Sequence, residues 1–368
     1  MTEAMKKTWD FYHFKPDAKI VQQEFGFYVL DRWKKEGFLT DDTDLNRLFG
    51  FDPPGTFTFW GLGWCEAAFE PFFEEEVLED RGESELVRDF AGRSVQFFKN
   101  RRSGYMPTYV EHPVKDWDSW ERNVKWRMDP ASPGRYGAAF KQEMQDAVSW
   151  QAEGGYICQN IAGGYMYLRS LAGPEDIMYL FYDAPALVHD CMQTWFALAD
   201  KVLEKRQEQV LLDEIFLAED ICYKHGLLIS PVMVREFLFP YYQQLLSNAK
   251  ARQRDKTKRL RLQIDTDGNC YDAIDLYRSV GMDYLSPFEV ASGCDVVEVR
   301  KKYPDLLMRG GFDKRILAAG REAIDREIDR IMPFMVKHGG FIPSCDHGVP
   351  EEVAFEDYLY YRRQMSEF

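Results

Sequence analysis

Five places in this sequence bring chemically capable side chains to the end of a short apolar run. Ile215-Phe216-Leu217-Ala218 runs into Glu219-Asp220, and Leu260 to Ile264 runs into Asp265-Thr266-Asp267-Gly268-Asn269. Tyr284-Leu285-Ser286-Pro287-Phe288 is followed by Glu289, and Leu306-Leu307-Met308 leads through Gly310-Gly311-Phe312 to Asp313. The last run, Gly340 to Ser344, ends in Cys345-Asp346-His347. If these ends converge, crowded carboxylates cannot all ionise in a shielded mouth without a cation, a basic ligand or raised pKa values. The competing reading for any one of them is structural, because an Asp at a strand-to-helix turn accepts hydrogen bonds from helix N–H groups.

The thiol and imidazole of Cys345 and His347 are both zinc donors, and carboxylates from neighbouring strands, Asp267 and Glu289, could complete such a site. The same triplet is equally a structural histidine beside an inert thiol, or His347 as a general acid or base oriented by Asp346. Asp265 to Asn269 also echoes a calcium loop, but the twelfth position counted from Asp265 is Leu276 where that loop needs Glu.

What must position these residues is a rhythm of strands and helices. Between the apolar runs lie Val234 to Arg252, Tyr271 to Val280, Val296 to Lys302 and Ala323 to His338, each with apolar residues at three- and four-residue spacing. Strand alternating with helix implies parallel strands with helical crossovers. Polar residues collected at successive strand ends match the rim of a (β/α)8 TIM barrel; a doubly wound open sheet, which gathers its ligand at one switch point, is the competitor. The first 150 residues are less regular. Ser84 to Asn100 has a helical or mixed pattern, and Gly104 to Tyr109 reads as strand or pocket wall. Aromatic residues are dense before residue 110, among them Trp60, Trp64, Phe72, Phe73, Tyr105 and Tyr109. Core packing is their default role, and stacking on a flat ligand is the alternative.

The chain has 368 residues, 45% hydrophobic and 29% charged, the composition of a globular protein with a large core. Its formal charge of −15 argues against nucleic acid and anionic membranes as partners. No stretch approaches the roughly 20 apolar residues of a membrane span, and Met1 to Ile20 is too charged for a signal peptide, so a cytoplasmic location is expected. Seven scattered cysteines without a CxxC pair are expected to be reduced. Neither a nucleotide-binding glycine frame around Gly163-Gly164 or Gly310-Gly311 nor a GxSxG elbow is present.

A series of motifs in order then resembles the uroporphyrinogen decarboxylase superfamily. They are Glu219-Asp220 through Gly226-Leu227-Leu228-Ile229-Ser230-Pro231 with Phe237 and Pro240-Tyr241, Asp267-Gly268-Asn269, Ser286-Pro287-Phe288-Glu289, Gly310 to Arg315, and Asp346-His347 with Val349-Pro350. Upstream, Met106-Pro107, Pro113 to Trp117, Asp129-Pro130 and Leu168-Arg169-Ser170-Leu171-Ala172-Gly173 fit as well, so the resemblance spans roughly residues 45 to 365. It implies a (β/α)8 barrel over residues 46–368, preceded by an aromatic-rich N-terminal extension over 1–45.

The superfamily divides into uroporphyrinogen decarboxylases and corrinoid-linked methyltransferases, the latter often zinc-dependent. The arginine-rich Arg-Gln-Ala-Gly-Arg-Tyr run of the decarboxylases is missing, and Arg101 to Tyr109 only echoes it. Thiol-methylating members hold zinc with a His-x-Cys pair and a later Cys; the pair here is Asp265 and Asp267, with Cys345 in the later position. The resemblance therefore implies methyl transfer from a methoxylated, chiefly aromatic, or otherwise methylated donor to the cobalamin of a partner corrinoid protein. In that reading His347, Asp267 and Glu289 are catalytic, and Cys345, His347, Asp267 and Glu289 are the candidate zinc ligands. Glu219, Asp220, Asp313, Trp60, Tyr105 and Arg169 shape the substrate pocket, and a homodimer is left as an open expectation. The alternative is a decarboxylase of a small or tetrapyrrole acid, with Arg169, Arg309 and Arg315 as carboxylate partners.

Overall fold

A computed structural model describes residues 1–101 and 106–368, with the Arg101 side chain excepted. Thirteen strands occur among the described residues. In chain order they are β1 (Thr56–Phe59), β2 (Glu76–Asp80), β3 (Ser84–Arg88), β4 (Ser94–Phe98), β5 (Thr108–Glu111), β6 (Tyr156–Ala162), β7 (Glu214–Ala218), β8 (Cys222–Tyr223), β9 (Gly226–Leu227), β10 (Arg261–Asp265), β11 (Tyr284–Ser286), β12 (Leu307–Phe312) and β13 (Phe341–Cys345). Seven of them pair in the order β1-β6-β7-β10-β11-β12-β13, and every pairing is parallel. The central strands are short apolar runs such as Ile215-Phe216-Leu217, as expected of a parallel sheet covered on both faces.

The sheet is curled. Alternate residues of all seven strands line one central cavity, from Thr58 on β1 to Ser344 on β13, so the two ends of the sheet face the same space. No ladder closes β13 onto β1 among the described residues, so the fold is a TIM-like barrel of seven paired strands, one fewer than expected. An extended N-terminal segment stands in the gap. Val21, Gln23 and Phe25 face the cavity, the Asp52 N–H donates to the Gln22 carbonyl at 2.8 Å, and the Glu24 carboxylate accepts from the Cys345 N–H at 2.7 Å. The helix Glu3–Tyr12 packs Phe11 and Tyr12 onto Tyr284, Leu307 and Ile342 at the amino-terminal end of the barrel. The N-terminal aromatics thus reach the interior.

The expected helices form with one change. Val296–Lys302 is a helix whose N-cap Asp295 accepts from the N–H groups of Val297 and Glu298. The segment expected as one helix from Val234 to Arg252 is two, Pro231–Phe237 and Phe239–Arg252, divided at Leu238 because Pro240 falls in a first helical turn. Ser84 to Asn100 departs further from its helical or mixed pattern. It is the β3–β4 hairpin of an antiparallel sheet ordered β2-β3-β4-β5. Asp89 accepts from the N–H groups of Ala91 and Arg93, and Gly92 at φ +79° supplies the left-handed residue of the turn. That sheet is an insertion in the crossover from β1 to β6. No described helix is long and apolar enough to cross a membrane.

Candidate active site

The cavity enclosed by the seven strands and the N-terminal segment has a volume of about 560 Å³. Its floor is set by Tyr12, Cys158, Glu214 and Tyr284. The Tyr12 hydroxyl donates to Glu214 Oε2 at 2.5 Å, and the Cys158 thiol lies 3.5 Å from Oε1. Burial raises the Glu214 carboxyl above the usual range despite these hydrogen bonds. One wall is aromatic: Trp64 stacks on Phe216 with ring centroids 5.4 Å apart and is followed by Trp60 at 5.9 Å. Trp60, Trp64 and Phe25 are partly exposed at the open end.

Beside that wall, β10 and β11 present Gln263, Asp265 and Ser286 inward, with Gln263 in register with Phe216 on the neighbouring strand. The Gln263 amide donates to Ser286 Oγ at 2.9 Å, and the Ser286 hydroxyl donates to Asp265 Oδ2. Asp265 Oδ1 has no hydrogen-bond partner among the described residues. Burial pushes the Asp265 carboxyl up to about 7; Ser286 and Arg309 oppose the shift, and the charges of Asp267 and Asp220 add to it. Asp265 is therefore a carboxylic acid able to carry a proton near neutral pH and deliver it into the cavity.

Arg309 on β12 is the cavity's arginine. Its guanidinium makes no hydrogen bond or ion pair among the described residues, although it lies within electrostatic reach of Glu214, Asp265 and Tyr284. The other two arginines considered as carboxylate partners are engaged. Arg169 pairs with Asp220 at 2.5 Å, and Arg315 binds Asp313 through Nε and Nη2.

The residues expected at the strand ends divide into two groups. Asp267, Glu289, Asp346 and His347 gather at the rim. His347 Nε2 lies 3.1 Å from Asp267 Oδ1, and this hydrogen bond, opposed by burial, raises the imidazole pKa. The His347 ring also packs beside Phe25, with centroids 5.3 Å apart. Glu289 Oε2 accepts from the Gly268 N–H and the Ser292 hydroxyl, tying two strand-end loops together. Asp346 Oδ2 accepts from the Val290 N–H while Lys314 lies 3.6 Å from Oδ1.

The second group points away from the cavity. Glu219 is buried in the helical layer, where it accepts from the Tyr242 hydroxyl at 2.6 Å, the Tyr277 hydroxyl at 2.9 Å and the Tyr165 N–H at 3.3 Å. Burial lifts it to about 7 against those hydrogen bonds. Asp220 is consumed by Arg169. Burial works to raise the Asp313 carboxyl, but its hydrogen bonds from Arg315 outweigh that and hold it low. Trp60 alone of the expected pocket residues lines the cavity, and Tyr105 lies outside the described residues.

Cys345 also faces outward, because Ile342 and Ser344 take the inward positions on β13. Its thiol is fully buried, and burial, with the nearby Glu24 and Asp346 charges, pushes its pKa well up. The proposed zinc set is corrected on this point: Cys345 cannot join Asp267, Glu289 and His347 because strand alternation puts it on the other face. Among the described residues no three His, Cys, Asp or Glu side chains converge as metal ligands. The donors do not fit a zinc ion.

Sequence reasoning counted Asp265 among the strand-end carboxylates without making it the acid, named Arg309 only for the decarboxylase alternative, and missed Gln263, Glu214 and the part played by Ser286. The available signal was polar residues at alternate positions within apolar strands, since an interior-facing polar group needs a partner or a ligand.

The profile of the uroporphyrinogen decarboxylase family matches residues 162–362, more than half of the chain. No curated protein sequence matches. A solved methyltransferase from Methanosarcina mazei is 12% identical, aligns over 99% of this chain and 98% of its own, and has a TM-score of 0.55. A B12-independent methionine synthase from Shewanella sp. W3-18-1 is 10% identical over 61% of this chain and 65% of its own, with a TM-score of 0.33. Xylanase B from Clostridium stercorarium F9 is 11% identical over 60% and 75%, with a TM-score of 0.34. Full-length superposition on the Methanosarcina structure gives the barrel fold, and the profile match gives the lineage: the chain belongs to the uroporphyrinogen decarboxylase family.

Proposed function

We propose that this enzyme transfers a methyl group from a methoxylated aromatic donor to the reduced cobalamin of a partner corrinoid protein. The observation that carries the proposal is Asp265. It is a carboxylic acid with a pKa of about 7, held by Ser286 and through it Gln263, with a free oxygen facing a cavity whose adjoining wall is Phe216, Trp64 and Trp60. An aromatic ether stacks on that wall with its oxygen toward Asp265.

Cobalt(I) supplies a strong nucleophile when the partner docks. The bond from methyl carbon to ether oxygen breaks as the bond to the acceptor forms, and the electron pair stays on oxygen. Asp265 donates its proton to that oxygen, releases the demethylated hydroxyl compound, and is reprotonated from solvent. The partly exposed rim of Phe25, Trp60 and Trp64 suits a partner that must reach the donor methyl. The His347–Asp267 pair stands beside Phe25 and positions that rim.

The test is methyl transfer to free cob(I)alamin from a panel of methoxybenzenes and methoxybenzoates, followed by the loss of the cob(I)alamin absorbance. Enzyme-dependent transfer is expected. No transfer from any ether of the panel, with free cobalamin or with a purified corrinoid protein, would sink the proposal. Decarboxylation is the second reading, favoured by the unpartnered Arg309, and carbon dioxide release from methoxybenzoates separates it from methyl transfer.

A further inference from the structure

The five buried arginines among the described residues have their charge answered. Arg93 pairs with Asp89 and Glu66, Arg206 with Glu143, Arg261 donates to the Tyr12 carbonyl, Arg300 donates to four carbonyls, and Arg362 donates to Phe49 and Gln22. Arg309, less buried than these, differs. It sits half-buried in the barrel interior without a hydrogen bond or ion pair among the described residues, where a desolvated guanidinium is costly unless something pairs with it. The carboxyls nearest in its field, Glu214 and Asp265, do not answer the charge. Neither makes an ion pair with it, and Glu214 already accepts from Tyr12 and Asp265 from Ser286.

Register fixes where the guanidinium stands relative to the acid. Asp265 pairs with Ser286 across β10 and β11, and Leu285 pairs with Met308 across β11 and β12. One residue further along that register, Arg309 comes abreast of Ser286. Asp265 and Arg309 therefore stand in one row of the barrel, two inter-strand spacings of about 4.8 Å apart along the sheet. Both face inward, and Phe216 of the aromatic wall stands on β7, next to β10 on the side away from β12. A single substituted aromatic ring lying in the cavity along that row reaches both side chains.

We propose that Arg309 is a substrate-binding residue that pairs with a carboxylate on the aromatic ring of the methyl donor, so that the enzyme's substrates are methoxylated aromatic acids rather than neutral ethers. This deepens the methyl-transfer reading and rests on it for the reaction, while its binding step stands on the cavity alone. A planar guanidinium meets a carboxylate with two parallel N–H donors, which fixes the ring's orientation as well as its affinity. With the carboxylate held at β12, an ether oxygen on the far side of the ring is directed to Asp265 two strands away.

The experiment measures binding and turnover separately. The probes are 3- and 4-methoxybenzoate, with anisole and methyl 4-methoxybenzoate as uncharged counterparts, titrated into wild type, Arg309→Gln and Arg309→Lys by calorimetry. At least one methoxybenzoate is expected to bind wild type about tenfold or more tightly than its uncharged counterpart. Arg309→Gln erases that preference, and Arg309→Lys keeps part of it. Because each variant is compared with itself on charged and neutral rings, a general loss of folding moves both affinities and leaves no selective change. Equal affinity for the acids and the neutral rings in wild type, or a preference for the acids that survives Arg309→Gln, overturns the proposal. Selective binding of the acids without methyl transfer to cob(I)alamin upholds the Arg309 site and overturns the reaction. Turnover of anisole as fast as of the acids upholds the reaction and overturns the Arg309 site.

Discussion

The Ser286 hydroxyl donates to Asp265 Oδ2 across two adjacent strands, leaving Oδ1 of the same carboxyl facing the cavity. Asp265→Asn removes the transferable proton while keeping shape and the Ser286 contact. Methyl transfer is expected to fall about 100-fold or more, the usual weight of a general acid, with donor affinity within a few fold of wild type. Unchanged turnover in Asp265→Asn would remove the acid from the mechanism.

The pH profile follows from the same pair. The active form is protonated, so the wild-type rate should decline as pH rises through about 7. Ser286 lowers the Asp265 pKa by stabilising the carboxylate, so Ser286→Ala should move that decline to higher pH. A shift to lower pH in Ser286→Ala would show that the hydroxyl does not act on the carboxylate.

Glu219 predicts a stability effect without a catalytic one. Its carboxyl titrates near 7 in the folded chain and near 4 in an unfolded one, so between those values the folded state holds the extra proton. Its contribution is fully present below about pH 4 and is lost as pH rises through about 7. Glu219→Gln should therefore show a smaller fall in thermal midpoint between pH 5 and 8 than wild type, measured by scanning calorimetry. Parallel curves for the two proteins would contradict this assignment.

His347 owes its raised pKa first to the hydrogen bond with Asp267. In Asp267→Asn, burial is left to act against the charged ring, and the imidazole should titrate lower than in wild type. Histidine proton resonances followed across pH would show it, and no change would mean that the two residues are apart in solution.

Cys345 should prove inert. Buried thiols with raised pKa values give little thiolate, so iodoacetamide should label it far more slowly in the native protein than in the denatured one. Elemental analysis of Cys345→Ala should match wild type for zinc. A stoichiometric metal lost on that substitution would require Cys345 to turn inward.

The alternation of apolar runs with amphipathic helices after residue 154 was enough to place β7, β10, β11, β12 and β13 and the helices between them, because period-two and period-3.6 burial is written locally. The same local signal failed at Ser84 to Asn100, where the Gly92 turn folds the chain into a hairpin, and at Val234 to Arg252, where Pro240 divides the helix. At the rim His347 and Asp267 stand 3.1 Å apart, and Glu289 accepts from the Gly268 N–H. What it could not decide was direction. Asp265 and Asp267 are two residues apart, yet strand geometry ends between them, so one enters the cavity and the other stays at the rim. Cys345 and Ser344 are neighbours that alternation sends to opposite faces. Only the curled sheet decides which face is the interior, and only closure by residues 21–25 brings Phe25 onto His347 and encloses Arg309 with no hydrogen-bond or ion-pair partner among the described residues.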